Sequence, residues 1–139
     1  MSVEDNKASV RRAIEEIWNK YNLDLIPEYY DSNFVWHTLQ GDIQGLEGVK
    51  QFATMVFGGF PDFHIDIEDM VGEGDKVVVR GLFSGTHQGD FMGIPATGKK
   101  TAYPTISITR IVGGKSVENW IVNDRLGMFQ QIGVTPPMG

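Results

Sequence analysis

The segment VENWIVNDRL, residues 117–126, carries the acid best placed for chemistry. Read as a regular strand, it puts Glu118, Trp120, Val122 and Asp124 on one face, because successive side chains alternate. An Asp sharing a face with Trp120, Val122 and Leu126 is expected in a poorly solvated place. Burial there raises a carboxyl pKa toward the range that a general acid or base needs near neutral pH. The alternative is that Asp124 lies at the open end of the strand, solvated or paired with an Arg. His37 follows Trp36 near the end of a predicted strand, and His87 ends a longer one on the parity of Val77, Val79 and Phe83. Each is either a pocket residue or a hydrogen-bonded histidine near the sheet edge. His64 alternates with Asp66 and Glu68 on a polar face and is expected in solvent. No HxH, HxxxH or HxxE spacing gathers ligands locally, so no metal is expected. Arg80 suits the outer face of a strand better than a buried charge partnership. Trp18, Trp36 and Trp120 serve as core or cavity wall.

These residues need elements to hold them. Val10, Ala13, Ile14, Ile17, Trp18 and Tyr21 recur at helical spacing and predict a helix over about 5–22. Asp24 is a possible cap for a short second helix with Pro27 in its first turn. NFVWHTL (33–39) is aromatic and β-branched and predicts a strand. GLEGVKQFATMVFGGF (45–60) returns to helical spacing, with Gly58 and Gly59 as its stop.

Beyond Asp62 the period changes to two. Phe63, Ile65, Ile67 and Val71 fall on one face of a strand that ends in the turn GEGD (72–75). KVVVRGLFSGTH and TAYPTISITRIV are strands joined by GTHQGDFMGIPATGKKT (85–101), and GGK (113–115) turns into a last segment, SVENWIVNDRLGMFQQ. Because a strand and not a helix follows the glycine-rich loop, it is a hairpin rim and not a phosphate cradle. Helices followed by a four-strand meander indicate α+β, a curved antiparallel sheet wrapped on the N-terminal helices. Gly81 and Gly85 within one strand suggest bends or bulges.

Composition narrows the class. The 139 residues form one domain by the length prior, long enough to bury a core without disulfides or metal. A net charge of -6 and scattered basic residues argue against nucleic acid. No apolar run approaches a membrane span, and the polar, acidic start is unlike a secretory signal. Cysteine is absent, which excludes thiolate chemistry. A cytoplasmic small-molecule protein leads, with a binding or structural domain behind it.

PDFHIDIEDMVGEGDKVVVRG, SGTHQGDFMGIPATGKK and VENWIVNDRLGMFQQIG, in this order of elements, resemble the SnoaL-like polyketide cyclases of the nuclear transport factor 2-like superfamily. The resemblance spans the first helix to Gly133, and the GTHxGxFxGIPxTGK stretch is its most specific part. Ala96 departs from it where the family often has a second proline, which affects loop stiffness more than chemistry. It implies a cone-shaped α+β barrel around an internal pocket, with residues 1–139 as a single domain. In the family an Asp following a Trp in the pattern WxxxD acts as general acid/base, and Trp120 and Asp124 match. The GTH histidine lines the pocket, matched by His87, and the position of His37 is a pocket residue in relatives. Trp36, Trp120, Tyr21 and the loop residues Phe91, Met92 and Ile94 are the substrate wall so implied.

The chemistry implied is cofactor-free intramolecular aldol ring closure on an apolar, polyketide-like carbonyl substrate. Relatives pair through the outer face of the sheet, so a homodimer is expected, with Tyr103, Thr105, Ser107 and Thr109 on that face. Other activities share the fold. Limonene-type epoxide hydrolases need Arg and Asp two apart on a strand, whereas Leu82 stands two after Arg80. Ketosteroid isomerases need a carboxylate where this chain has His37. A non-catalytic ligand-binding or dimerisation domain, or a related isomerase, hydrolase or dehydratase, is the alternative.

Overall fold

The computed structural model describes residues 2–134. Its first helix, α1 (Val3–Ala13), begins earlier than the periodicity suggests because Ser2 forms a capping box with Asp5. The Ser2 hydroxyl accepts from the Asp5 amide, and the Asp5 carboxylate accepts from the Ser2 amide. The helix then widens into a π-turn, Ile14–Trp18, in which the Asn19 amide donates to the Ile14 carbonyl at 3.0 Å. That extra residue per turn re-aims Trp18. Asp24 caps nothing: a single 3₁₀ turn, Leu23–Leu25, leads into α2 (Ile26–Tyr29), with Pro27 in its first turn as expected.

The remaining elements are β1 (Tyr30–Thr38), β2 (Gly41–Gln44), α3 (Gly45–Gly59), β3 (His64–Glu73), β4 (Lys76–Thr86), β5 (Lys100–Val112), β6 (Lys115–Asn123) and α4 (Arg125–Gln131). They build an α+β fold on one curved, open sheet of order β2-β1-β6-β5-β4-β3. The sheet is mixed and not antiparallel throughout, since β1 runs parallel to β6. No local pattern announces that pairing, because its partners lie more than 80 residues apart. The final segment also departs from expectation: β6 stops at Asn123 and the chain turns into α4. Among the described residues, no helix is long and apolar enough to cross a membrane.

Helix α1 packs on β3 and β4, and α3 packs on β1 and β2. Between them lies an aromatic-rich core in which Ile17, Phe34, Val49 and Ala53 are almost completely buried. A smaller cluster joins Val10 of α1 to Val77, Val79 and Ile111. Each such side chain contributes about 1.5–3 kcal/mol by leaving water.

The glycines of β4 do not bulge, since its register with β5 runs unbroken from Lys76↔Arg110 to Thr86↔Lys100. The irregularity lies opposite, in β3 between Ile67 and Asp69. It reverses the parity of the remainder of that strand, so Val71 is 53% exposed and not inward like Ile65.

Candidate functional site

The inner face of the sheet and the helices enclose a cavity of about 130 Å³, which opens into a vestibule of about 250 Å³. Trp36, Phe52, Met55, Phe83, Met92, Ile121, Asn123 and Arg125 border both spaces. Trp18, released toward the interior by the π-turn, meets Trp36 edge-on at 5.8 Å and donates from Nε1 to the Tyr30 hydroxyl at 3.1 Å. Burial pushes the Tyr30 hydroxyl up to about 12, against the lowering effect of that hydrogen bond. Tyr103, across the cavity on β5, is likewise pushed up to about 12 by burial. Both therefore stay protonated near neutral pH and present O–H groups.

A bulge in β6, where Arg110↔Glu118 gives way to Ile111↔Ser116, sets which of its residues face inward. Ser116, Asn119, Ile121 and Asn123 line the cavity, opposite Thr105, Ser107 and Thr109 of β5. Asn119 donates to the Thr109 hydroxyl at 2.7 Å, which leaves its own carbonyl oxygen buried without a partner. Trp36 Nε1 and Thr105 Oγ1 are buried and unpartnered too. Buried polar atoms are rarely left so. One donor, one acceptor and one hydroxyl are thus available to a molecule entering the cavity.

The expected arrangement of Asp124, Trp120 and His37 around the pocket is not what the structure contains. Glu118, Trp120 and Val122 do share a face, but it is the outer one, where Trp120 and Val122 are 36% and 58% exposed. His37 lies there as well, stacked on Trp120 at 5.4 Å. Its Nε2 meets Glu118 at 2.6 Å and its Nδ1 meets Asp42 at 2.9 Å. Glu118 in turn accepts from Arg110 at 3.3 Å. The hydrogen bonds to Glu118 and then Asp42 raise the His37 pKa, and the bond from His37, then that from Arg110, lower that of Glu118. The expected outward row on β5 is reversed as well: Tyr103, Thr105, Ser107 and Thr109 face the cavity, while Ile106 and Ile108 face out.

Asp124 is exposed, not desolvated. It caps α4, accepting from the Gly127 amide at 2.9 Å, and lines neither the cavity nor the vestibule, although its chain neighbours Asn123 and Arg125 border both. A Cβ on Gly127 would collide with its carboxylate, so the cap requires glycine there.

His87 is completely buried and does not border the cavity. Its ring stacks on Phe60 at 5.4 Å, and Nδ1 accepts from the Thr97 amide at 3.3 Å and lies 3.0 Å from the Thr97 hydroxyl. This places the proton on Nε2, which has no partner. Tyr21, in a left-handed conformation (φ 59), donates to the Phe63 carbonyl at 2.9 Å and packs on Phe57, away from the cavity.

The glycine-rich loop behaves as a rim. Backbone bonds between His87 and Lys99 and between Gly98 and His87 close its base, and the amides of Gln88 and Gly89 donate to the Gly59 carbonyl at the end of α3. Gly89 approaches so closely that a Cβ there would run into the Gly58 carbonyl oxygen. Phe91 and Met92 border the cavity, whereas Ile94 pairs with Phe91 and packs on the core beside it.

Sequence reasoning missed Tyr30, Tyr103, Thr105, Asn119, Asn123 and Arg125 as cavity residues. A signal was present: TISIT (105–109) holds Thr105, Ser107 and Thr109 on one parity and Ile106 and Ile108 on the other, so either side could have been the interior.

The sequence that builds this fold and cavity matches the family model described as SnoaL-like polyketide cyclase over residues 8–132. The chain belongs to that family. It is 27% identical over 128 residues to the aklanonic acid methyl ester cyclase DnrD of Streptomyces peucetius, covering 89% of this chain and 88% of DnrD. Its structure superposes on AclR of Streptomyces galilaeus with a TM-score of 0.87 at 25% identity, over 99% of this chain and 91% of AclR. TsrD of Streptomyces laurentii gives a TM-score of 0.80 at 27% identity, over 91% and 96%.

Proposed function

We propose that this protein is a cofactor-free cyclase that closes a carbocyclic ring by intramolecular aldol addition on an apolar, aromatic carbonyl substrate held in the cavity. The observation that carries the reading is the cavity itself: an aromatic wall with Trp36 Nε1, Thr105 Oγ1 and Asn119 Oδ1 buried and unpartnered, in a chain of the cyclase family. Apolar walls with a few convergent polar atoms fix a flat substrate and fold its side chain toward the ring.

Asp124 is the residue we assign to proton transfer. One carboxylate oxygen is held by Gly127, and the residues on either side of it in the chain, Asn123 and Arg125, border both the cavity and the vestibule. The carboxylate takes a proton from the carbon between two carbonyls, and that carbon attacks a ketone to form the new C–C bond. The resulting alkoxide recovers the proton from the Asp124 carboxyl. His87 and His37 are assigned positioning roles, the first bracing the loop against Phe60 and the second tying β1 to β2 and β6.

The protein is further proposed to be a homodimer. Ile106 pairs with Val122 and Ile108 with Trp120 across β5 and β6, forming an exposed apolar row on the outer face. Such a row suits a second copy of the same face. The test of function is turnover of aklanonic acid methyl ester, followed as cyclised product, by the wild type and by Asp124→Asn. Product from the wild type and its near-loss in the variant support the reading. Equal turnover by both removes Asp124 from the mechanism, and none by either removes this substrate.

A further inference from the structure

Arg125 is the one Lys or Arg among the described residues that line the cavity and the vestibule. It opens α4, and its backbone position is fixed by the Asp124 cap immediately before it. Its guanidinium lies 5.6 Å from the centre of the Phe129 ring and touches the sulfur of Met92 across the vestibule. It borders both the cavity and the vestibule. Among the described residues, no carboxylate lies within ion-pair distance of it.

Its surroundings are therefore a thioether, an aromatic face and the Tyr103 phenol. Desolvation lowers its pKa, with the neighbouring Tyr103 acting the other way. A half-buried cation is ordinarily paired, and a guanidinium carries five N–H donors in a fork suited to two adjacent oxygens. Here the fork has only a sulfur, a weak acceptor. Trp36 Nε1 adds a further donor with no acceptor. The donors of Arg125 and Trp36 thus outnumber the one unpartnered acceptor, Asn119 Oδ1, and the positive charge is uncompensated, so a complementary ligand supplies acceptors and negative charge.

We propose that Arg125 is the charge-recognising residue of this cavity and that the substrate is an aromatic β-dicarbonyl bound as its enolate, with the charged oxygens on the guanidinium fork. This rests on the ring-closure reading, in which the enolate is the nucleophile. In the ring-closure reading, forming it breaks one C–H bond, sends the proton to the Asp124 carboxylate, and spreads the electron pair over two oxygens. The titratable groups facing these spaces are Tyr103 on β5, Tyr30 on β1 and Asp42 at the vestibule, with Asp124 next to Arg125 in the chain. The phenols stay neutral, and the carboxylates of Asp42 and Asp124 oppose the effect, so any net stabilisation of the enolate comes from Arg125.

The test uses benzoylacetone, whose enolate absorbs separately from its neutral forms, and naphthamide as an uncharged aromatic control followed by tryptophan emission. With the wild type, the bound dicarbonyl should ionise at a pH lower by about one unit, a roughly tenfold enrichment of enolate. Arg125→Gln should abolish that shift while changing naphthamide affinity by less than about twofold, and Arg125→Lys, which keeps the charge but not the fork, should keep part of it. No binding or no shift with the wild type overturns the proposal, as does an unchanged shift in Arg125→Gln. Equal behaviour of the Gln and Lys variants, or parallel loss of naphthamide binding, overturns it too, because Arg125 then shapes the cavity without reading charge. The readout needs no turnover. A preserved shift without ring closure refutes the reaction and not the charge recognition.

Discussion

The two halves of the sheet have opposite polarity. Across β3 and β4 the inner face is apolar, with Ile65, Val77 and Val79 buried, and the outer face carries Arg80 and Glu68 3.4 Å apart. Across β5 and β6 the inner face carries Thr105, Ser107, Thr109, Asn119 and Asn123, and the outer face carries Ile106, Ile108, Trp120 and Val122. The first half behaves as an ordinary half-buried sheet packed on α1. Both halves border the cavity, the first through Ile65, Val79 and Phe83, but the second lines it with a row of polar groups, which are retained for what enters. Satisfaction differs in the same way. On the outer face, both nitrogens of His37 and both oxygens of Glu118 have partners, whereas inside Thr105 Oγ1 and Asn119 Oδ1 have none.

The largest effect expected is on turnover. Asp124→Asn should lower it roughly a hundred- to ten-thousand-fold, the usual loss for a general acid/base. Because Asn is as good an N-cap as Asp, the denaturation midpoint should scarcely move. A variant that loses activity and stability together would reduce Asp124 to a cap.

The contrast between halves also explains what could be read from sequence. Amphipathic spacing locates α1 and α3, and alternation locates β3 to β6, because those signals are local. Alternation gives two faces without saying which is inside. Placing Trp120 and Val122 inward applies a burial rule that fails where the interior is a ligand site and the exterior is free to be apolar. The same rule puts Asp124 in the pocket. An acid three residues before Gly127 is a legible capping signal, yet the Trp120–Asp124 spacing draws it into a strand. The short edge strand β2 and the parallel β1–β6 pair depend on long-range contacts that no local window contains.

A second expected effect concerns the apolar outer row. The double substitution Ile106→Lys with Val122→Lys places like charges opposite each other on an exposed face. It should convert a sedimenting dimer at micromolar concentration to monomer while leaving naphthamide binding intact. A wild type that sediments only as monomer contradicts the assigned role of this face.

Isosteric exchanges then separate the halves energetically. Val79→Thr puts a hydroxyl into the apolar cluster and should cost about 1–3 kcal/mol in urea unfolding. Thr105→Val removes a hydroxyl that has no partner and should be neutral or slightly stabilising. Equal losses for both would mean that the two halves do not differ as described.

The smallest effect is a pH dependence on the outer face. The His37 pKa is raised above its usual 6.5, so its contribution is complete below 6.5 and is lost as pH rises through the folded-state value. The Glu118 pKa is lowered below its usual 4.5, so its contribution is present above 4.5 and is lost as pH falls through the folded-state value. The difference in urea midpoint between wild type and His37→Gln should therefore be greatest between these values and shrink at higher pH. A difference that grows with pH would contradict the ion-paired geometry.

The central claim is that the polar inner face of β5 and β6 is a ligand site. A crystal structure of the wild type with benzoylacetone tests it most directly. The account predicts the molecule inside the cavity, with an oxygen accepting from Trp36 Nε1 or the Thr105 hydroxyl, or an enol O–H donating to Asn119 Oδ1. An aromatic molecule seated on the outer face beside Trp120, with those three atoms still unpartnered, would contradict it.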